Sequence, residues 1–122
     1  MGHELYIVQA ELAHAPGSPR PAPSILPRHV RRLEEEIDTY EARHPPLNSF
    51  VIPAGSTPAA ALHVARAVAR RAERELTTLN HEQPVDPVLL AWANRLSDLL
   101  FTLALAANHA LGVAETTPDY DV

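Results

Sequence analysis

Apolar residues recur in steps of three and four along two long segments of the chain. Leu62, Ala65, Ala69, Ala72, Leu76 and Leu79 form one series; Leu89, Ala93, Leu96, Leu100, Leu103, Ala107 and Leu111 form the other, widened by Trp92 and Leu99. Because each helical residue turns the chain by about 100°, this spacing puts each series on one stripe of an α-helix. No alternation of comparable length marks a strand, and only Phe50-Val51-Ile52 stands as a short apolar run. The twelve prolines cut the chain into proline-free segments at about 3–14, 28–44, 59–83 and 88–117, since an interior proline removes a helical hydrogen bond and clashes with the preceding turn. Four helices are predicted there. Thr57 before Pro58 and Asp86 before Pro87 supply caps, Ser24 is placed to cap the second helix, and Gly112 offers a left-handed stop to the last. The pattern predicts an all-α fold, an antiparallel helical bundle forming a single domain over residues 1–122, with an extended loop from Ala15 to Pro23.

Composition narrows the chemistry. At 122 residues, 46% hydrophobic and 20% charged, with a net charge of −5, the chain has the balance of one soluble globular domain. That charge makes nucleic acid a poor partner. The absence of cysteine removes thiol nucleophiles, thiolate metal sites and disulfides, and fits a cytoplasmic chain. All ten cations are arginine, so no Schiff-base or P-loop lysine exists. The uncharged run from Leu99 to Ala114 falls short of the roughly 18 residues of a membrane span, and no signal peptide is visible. The seven histidines contain no i,i+3 or i,i+4 pair, so no helical metal site is expected.

Three constellations remain. In HVARAVARRAER, residues 63–74, a wheel puts His63, Arg66, Arg70 and Glu73 within about 80° of one another beside the apolar stripe, with Arg71 and Arg74 farther round. Guanidinium groups in such a row suit phosphate, which they meet with paired hydrogen bonds and a permanent charge; a solvated face of intrahelical ion pairs is the plainer alternative. In the next helix Asn94, Arg95 and Asp98 interrupt an apolar face and require polar company, either from another helix or from a ligand. The loop PPLNSFVIPAGST, residues 45–57, offers Leu47, Phe50, Val51 and Ile52 either as a wall of a flat apolar ligand site or as a cover over the bundle end.

Taken in order, LEEEIDTYEARHPPLNSFVIPAGS, HVARAVARRAER and NRLSDLLF resemble the PduO-type ATP:cob(I)alamin adenosyltransferases, or corrinoid adenosyltransferases, over nearly everything from Leu33 to Asn108. The resemblance implies a ferritin-like bundle of five helices, a homotrimer with ATP and corrinoid at the subunit interfaces, and magnesium on the phosphates. It implies transfer of the 5′-deoxyadenosyl group of ATP to cob(I)alamin, giving adenosylcobalamin. By the same resemblance Arg70 and Arg71 contact the triphosphate, Glu73 and Asn94 serve the ATP site, and Arg66 forms an inter-subunit ion pair. Phe50, with Val51, covers the lower corrin face, and Arg95 and Asp98 give structural support. Ala54 stands where the family usually carries glycine, and the family's first helix, with its phosphate-binding stretch, has no counterpart in these 122 residues. A cobalamin-binding or carrier protein without catalysis, or a structural helical oligomer, are the alternatives on the same scaffold.

Overall fold

The computed structural model describes residues 2–14, 23–44, 47 and 49–122. Four helices make up the architecture: α1 (Gly2–Ala13), α2 (Pro27–Glu41), α3 (Thr57–Glu82) and α4 (Pro87–Ala110). Among the described residues there is no strand, and Phe50-Val51-Ile52 is irregular. Most of the Ala15–Pro23 connection, for which an extended loop is expected, lies outside the described residues.

The boundaries follow local chemistry, with two departures from the expected caps. Ser56, not Thr57, caps α3: its hydroxyl oxygen accepts from the Ala59 N–H at 3.3 Å, while Thr57 and Pro58 occupy the first turn. At α2 the cap is Leu26 rather than Ser24; no side chain caps the first turn, and His29 in that turn reaches back so that its Nδ1 accepts the Leu26 N–H at 2.9 Å. Asp86 caps α4 as expected, accepting from Val88 N–H at 3.0 Å. Gly112 stops that helix with φ +69, a left-handed value that suits glycine.

α4 is the centre of the molecule. It runs antiparallel to α3 across the short Gln83–Asp86 connection and packs on its other side against α2. By length and hydropathy alone α4 could cross a membrane, which the uncharged run did not suggest. Its position between two helices accounts for that apolarity. Leu89, Trp92, Ala93, Leu96 and Leu99 from α4 meet Leu33 and Ile37 from α2, Leu76 from α3, and Ile25 and Val85 from the connections. Burying each large aliphatic side chain stabilises the fold by about 1.5–3 kcal/mol. α1 is tied on by carboxylates: buried Glu4 accepts from the Trp92 indole N–H at 3.3 Å, and Glu11 accepts from Ile25 N–H at 2.8 Å.

The inward face of α3 differs from the predicted stripe. Leu76 is buried and Leu62, Ala69 and Leu79 are half-buried, but Ala65 and Ala72 are exposed, and His63, Arg66 and Glu73 turn inward instead. His63, Arg66 and Glu73 are therefore part of the α3–α4 contact, while Arg70 of the same row stays exposed at its border. Apolar residues surround this stretch of α3, so periodicity alone could not choose its buried side. Val64 and Val68 lie on the outer face at 65% and 63% exposure.

Candidate functional site

Two features stand at opposite ends of the α3–α4 pair. The first is an open cleft of about 540 Å³ lined by Arg70, Glu73, Arg74, Thr77, Thr78 and Asn94. Each of its α3 residues has another three or four positions away, so one face of one helix supplies five of the six. Asn94 reaches in from α4 because the antiparallel register sets the first turns of α4 beside the second half of α3. Its Nδ2 donates to Glu73 Oε2 at 3.0 Å, and its Oδ1 accepts from Arg95 Nη2. Arg95 Nη2 in turn lies 2.6 Å from Asp98 Oδ2.

These contacts fix the orientation of the Asn94 amide. Glu73, Asn94, Arg95 and Asp98 form one continuous polar chain along the α3–α4 groove. Arg70 and Arg74, by contrast, have no hydrogen bond or ion pair among the described residues from their guanidinium groups, and both are exposed. Two guanidiniums with no partner among the described residues offer charged donors of the kind that suits an anion rich in oxygen acceptors. The threonine hydroxyls donate back to the Glu73 and Arg74 carbonyls at 3.1 Å each, leaving their oxygens as acceptors.

The wheel placed Arg74 away from the row, yet it lines the cleft; Arg71 is exposed and is not among the lining residues. Thr77 and Thr78 also escaped the sequence reading, although their spacing from Arg70 and Arg74 carried the signal. Arg66 sits a turn nearer the other end. Its guanidinium stacks over the Phe101 ring at 4.8 Å and its buried Nε has no hydrogen-bond partner. His63, 7% exposed, lies 6.1 Å from the same ring, with Nε2 likewise unpartnered. Burial holds His63 below its ordinary value of 6.5; nearby Glu115 opposes that shift and Arg66 adds to it.

The second feature is the loop before α3. Phe50 is 81% exposed, with Val51 half-buried beside it and Ile52 tied by its N–H to the Thr116 carbonyl at 2.9 Å. The loop enters α3 at Thr57, about 20 Å along the helix axis from Arg70 at 1.5 Å per residue, and its Ala54–Ser56 turn is held by Asn108 near the end of α4, whereas Asn94 of the cleft lies near that helix's start. Below the loop lies a residue that the sequence did not single out. Asn108 is fully buried and clasps Ala54, Ser56 and Glu115. Among the described residues no three His, Asp or Glu side chains converge as metal ligands.

An all-helical antiparallel bundle with an arginine-bearing cleft between two helices is the class that fold and site define. The sequence model of the family described as cobalamin adenosyltransferase matches residues 1–107, and the chain belongs to that family. It is 46% identical over 109 residues to the corrinoid adenosyltransferase PduO of Citrobacter freundii, covering 87% of this chain and 32% of that protein. It is 51% identical over 86 residues to a corrinoid adenosyltransferase of Mycobacterium leprae, covering 69% of this chain and 45% of that one. Among solved structures, a variant PduO-type ATP:corrinoid adenosyltransferase from Lactobacillus reuteri, complexed with cobalamin and ATP, superposes with a TM-score of 0.85 at 32% identity. That superposition covers 95% of this chain and 65% of the other. The chain thus spans about a third to a half of the two curated relatives and two thirds of the solved one.

Proposed function

We propose that this chain binds ATP and a corrinoid and transfers the 5′-deoxyadenosyl group of ATP to cob(I)alamin. The observation that carries the reading is the cleft: two unpaired arginines on one helical face converge with the Glu73-bound amide of Asn94, in a member of the adenosyltransferase family. In this reaction the two-electron nucleophile cobalt(I) attacks the 5′-carbon. A cobalt–carbon bond forms, the C5′–O bond breaks, and its electron pair leaves with triphosphate.

The protein then needs no side-chain nucleophile. Its contribution is to orient both substrates and to stabilise the leaving phosphates. Arg70, with Arg71 and the cleft residue Arg74, meets the triphosphate; Glu73 and Asn94 hold the polar side of the nucleotide; Arg95 and Asp98 keep Asn94 in place. Magnesium, bound with the nucleotide, would neutralise phosphate charge and would ask for few protein ligands.

Phe50 and Val51 form the apolar wall against the lower corrin face. Because they stand at the far end from Arg70 within one chain, a complete site requires two copies, with ATP and corrinoid between neighbouring subunits of a homotrimer. The exposed Val64 and Val68 on the outer face of α3 support such contacts. The compartment that fits is the cytoplasm.

The test is to incubate the purified chain with chemically reduced cobalamin and ATP and to follow the cobalt–carbon product by absorbance. Adenosylcobalamin with stoichiometric triphosphate is the expected result. Cobalamin binding that ignores ATP would instead identify a corrinoid carrier.

A further inference from the structure

Asn108 makes four side-chain hydrogen bonds among the described residues. Its Oδ1 accepts from both the backbone N–H and the hydroxyl of Ser56, each at 2.8 Å. Its Nδ2 donates to the Ala54 carbonyl at 3.2 Å and to Glu115 Oε1 at 3.1 Å, and its own carbonyl accepts from Val113 N–H at 2.8 Å. Two acceptor lone pairs and two amide protons are thus all used inside a fully buried site. The intervening Gly55 has φ +115, and a β-carbon there would fall on the Asn108 carboxamide. The turn is therefore moulded around this amide.

Three segments meet at this point: the end of α4, the loop that carries Phe50, and the returning tail. The tail lies beyond the 1–107 stretch that matches the family. It is linked to the loop a second time, where Ile52 N–H donates to the Thr116 carbonyl. We infer that Asn108 is a positioning residue for the corrinoid wall: through Ala54 and Glu115 it clamps loop and tail together, and so sets where Phe50 and Val51 stand. This rests on the corrinoid reading above and adds to it a residue that need not touch substrate. The tail is thereby part of the device.

Asn108→Asp isolates the effect. A carboxylate keeps both acceptor contacts to Ser56, so the start of α3 stays capped. It loses both donors, however, and sets negative charge against the Ala54 carbonyl and Glu115. Amide hydrogen exchange is expected to accelerate roughly tenfold or more at Ile52 while Ser56 stays protected. Cobalamin affinity, measured by absorbance titration, is expected to fall by roughly tenfold, with ATP affinity changed less than about twofold because Arg70 lies at the other end.

Glu115→Ala, which keeps the amide and its contacts to Ser56 and Ala54 but removes its acceptor on the tail, should release Ile52 in the same direction. Adding Glu115→Gln to Asn108→Asp restores a bond with donor and acceptor exchanged, and should return both readouts toward the original. Loss of protection at Ile52 with unchanged cobalamin affinity would overturn the positioning role alone. Parallel loss of helicity, ATP binding and cobalamin binding would reduce Asn108 to a structural residue. Failure of the unaltered chain to bind cobalamin would remove the corrinoid reading itself, and the inference with it.

Discussion

Arg70→Ala separates binding from folding because of where the side chain lies. Arg70 is exposed, and its guanidinium has no hydrogen bond or ion pair among the described residues. Its removal leaves no buried partner unsatisfied and opens no cavity, so the stability change should stay within about 0.5 kcal/mol. Its proposed role lies wholly in meeting phosphate oxygens. A hydrogen bond to a charged group contributes about 1.5–3 kcal/mol, which corresponds to a roughly 10- to 100-fold loss of ATP affinity. Calorimetric titration with ATP, run beside thermal unfolding of the ligand-free chain, reads both quantities on one preparation. Unfolding at the original temperature with weakened ATP binding is the expected pair of results. The reverse pair, a drop of several degrees with ATP affinity intact, would refute the argument, since it would mean that Arg70 holds the assembly together and does not hold a nucleotide.

Two other perturbations probe the frame around the cleft. Leu99→Ala removes a side chain with 0% exposure at the centre of α4 and should cost about 2–5 kcal/mol. The midpoint of thermal unfolding should fall by on the order of 10 °C or more, while Leu111→Ala, at a site 59% exposed, should change it little. His63 gives a pH signature. Burial lowers its pKa in the folded chain, so the unfolded chain takes up the proton first as pH falls. Stability should be full above the ordinary value of 6.5 and decline as pH drops below it toward the folded value. His63→Phe should flatten that part of the stability–pH curve measured by denaturant unfolding; an unchanged slope would assign it to other groups.

Local chemistry was legible in the chain itself. Proline positions, the Asp86 cap and the Gly112 stop marked the helices to within a few residues, because each acts on backbone within a few positions of itself. The motif HVARAVARRAER carried the cleft arginine Arg70 and its neighbour Glu73, and NRLSDLLF carried Asn94, since all three belong to single helical faces with regular spacing. Contacts that depend on less familiar acceptors were not legible: nothing in the sequence favours a histidine ring over Ser24 at the start of α2.

What the tertiary structure decided is which faces meet. α3 is apolar on two sides, and only the approach of α4 selects the one bearing His63, Arg66 and Glu73, leaving Val64 and Val68 outside. The same antiparallel register brings Glu73 to Asn94, 21 residues away, and Asn108 to Ser56, 52 residues away. Periodicity records how a helix could be buried, whereas side-chain partners at such separations depend on how two helices slide and rotate against each other. That relation is a property of the packed pair and is written in neither helix alone.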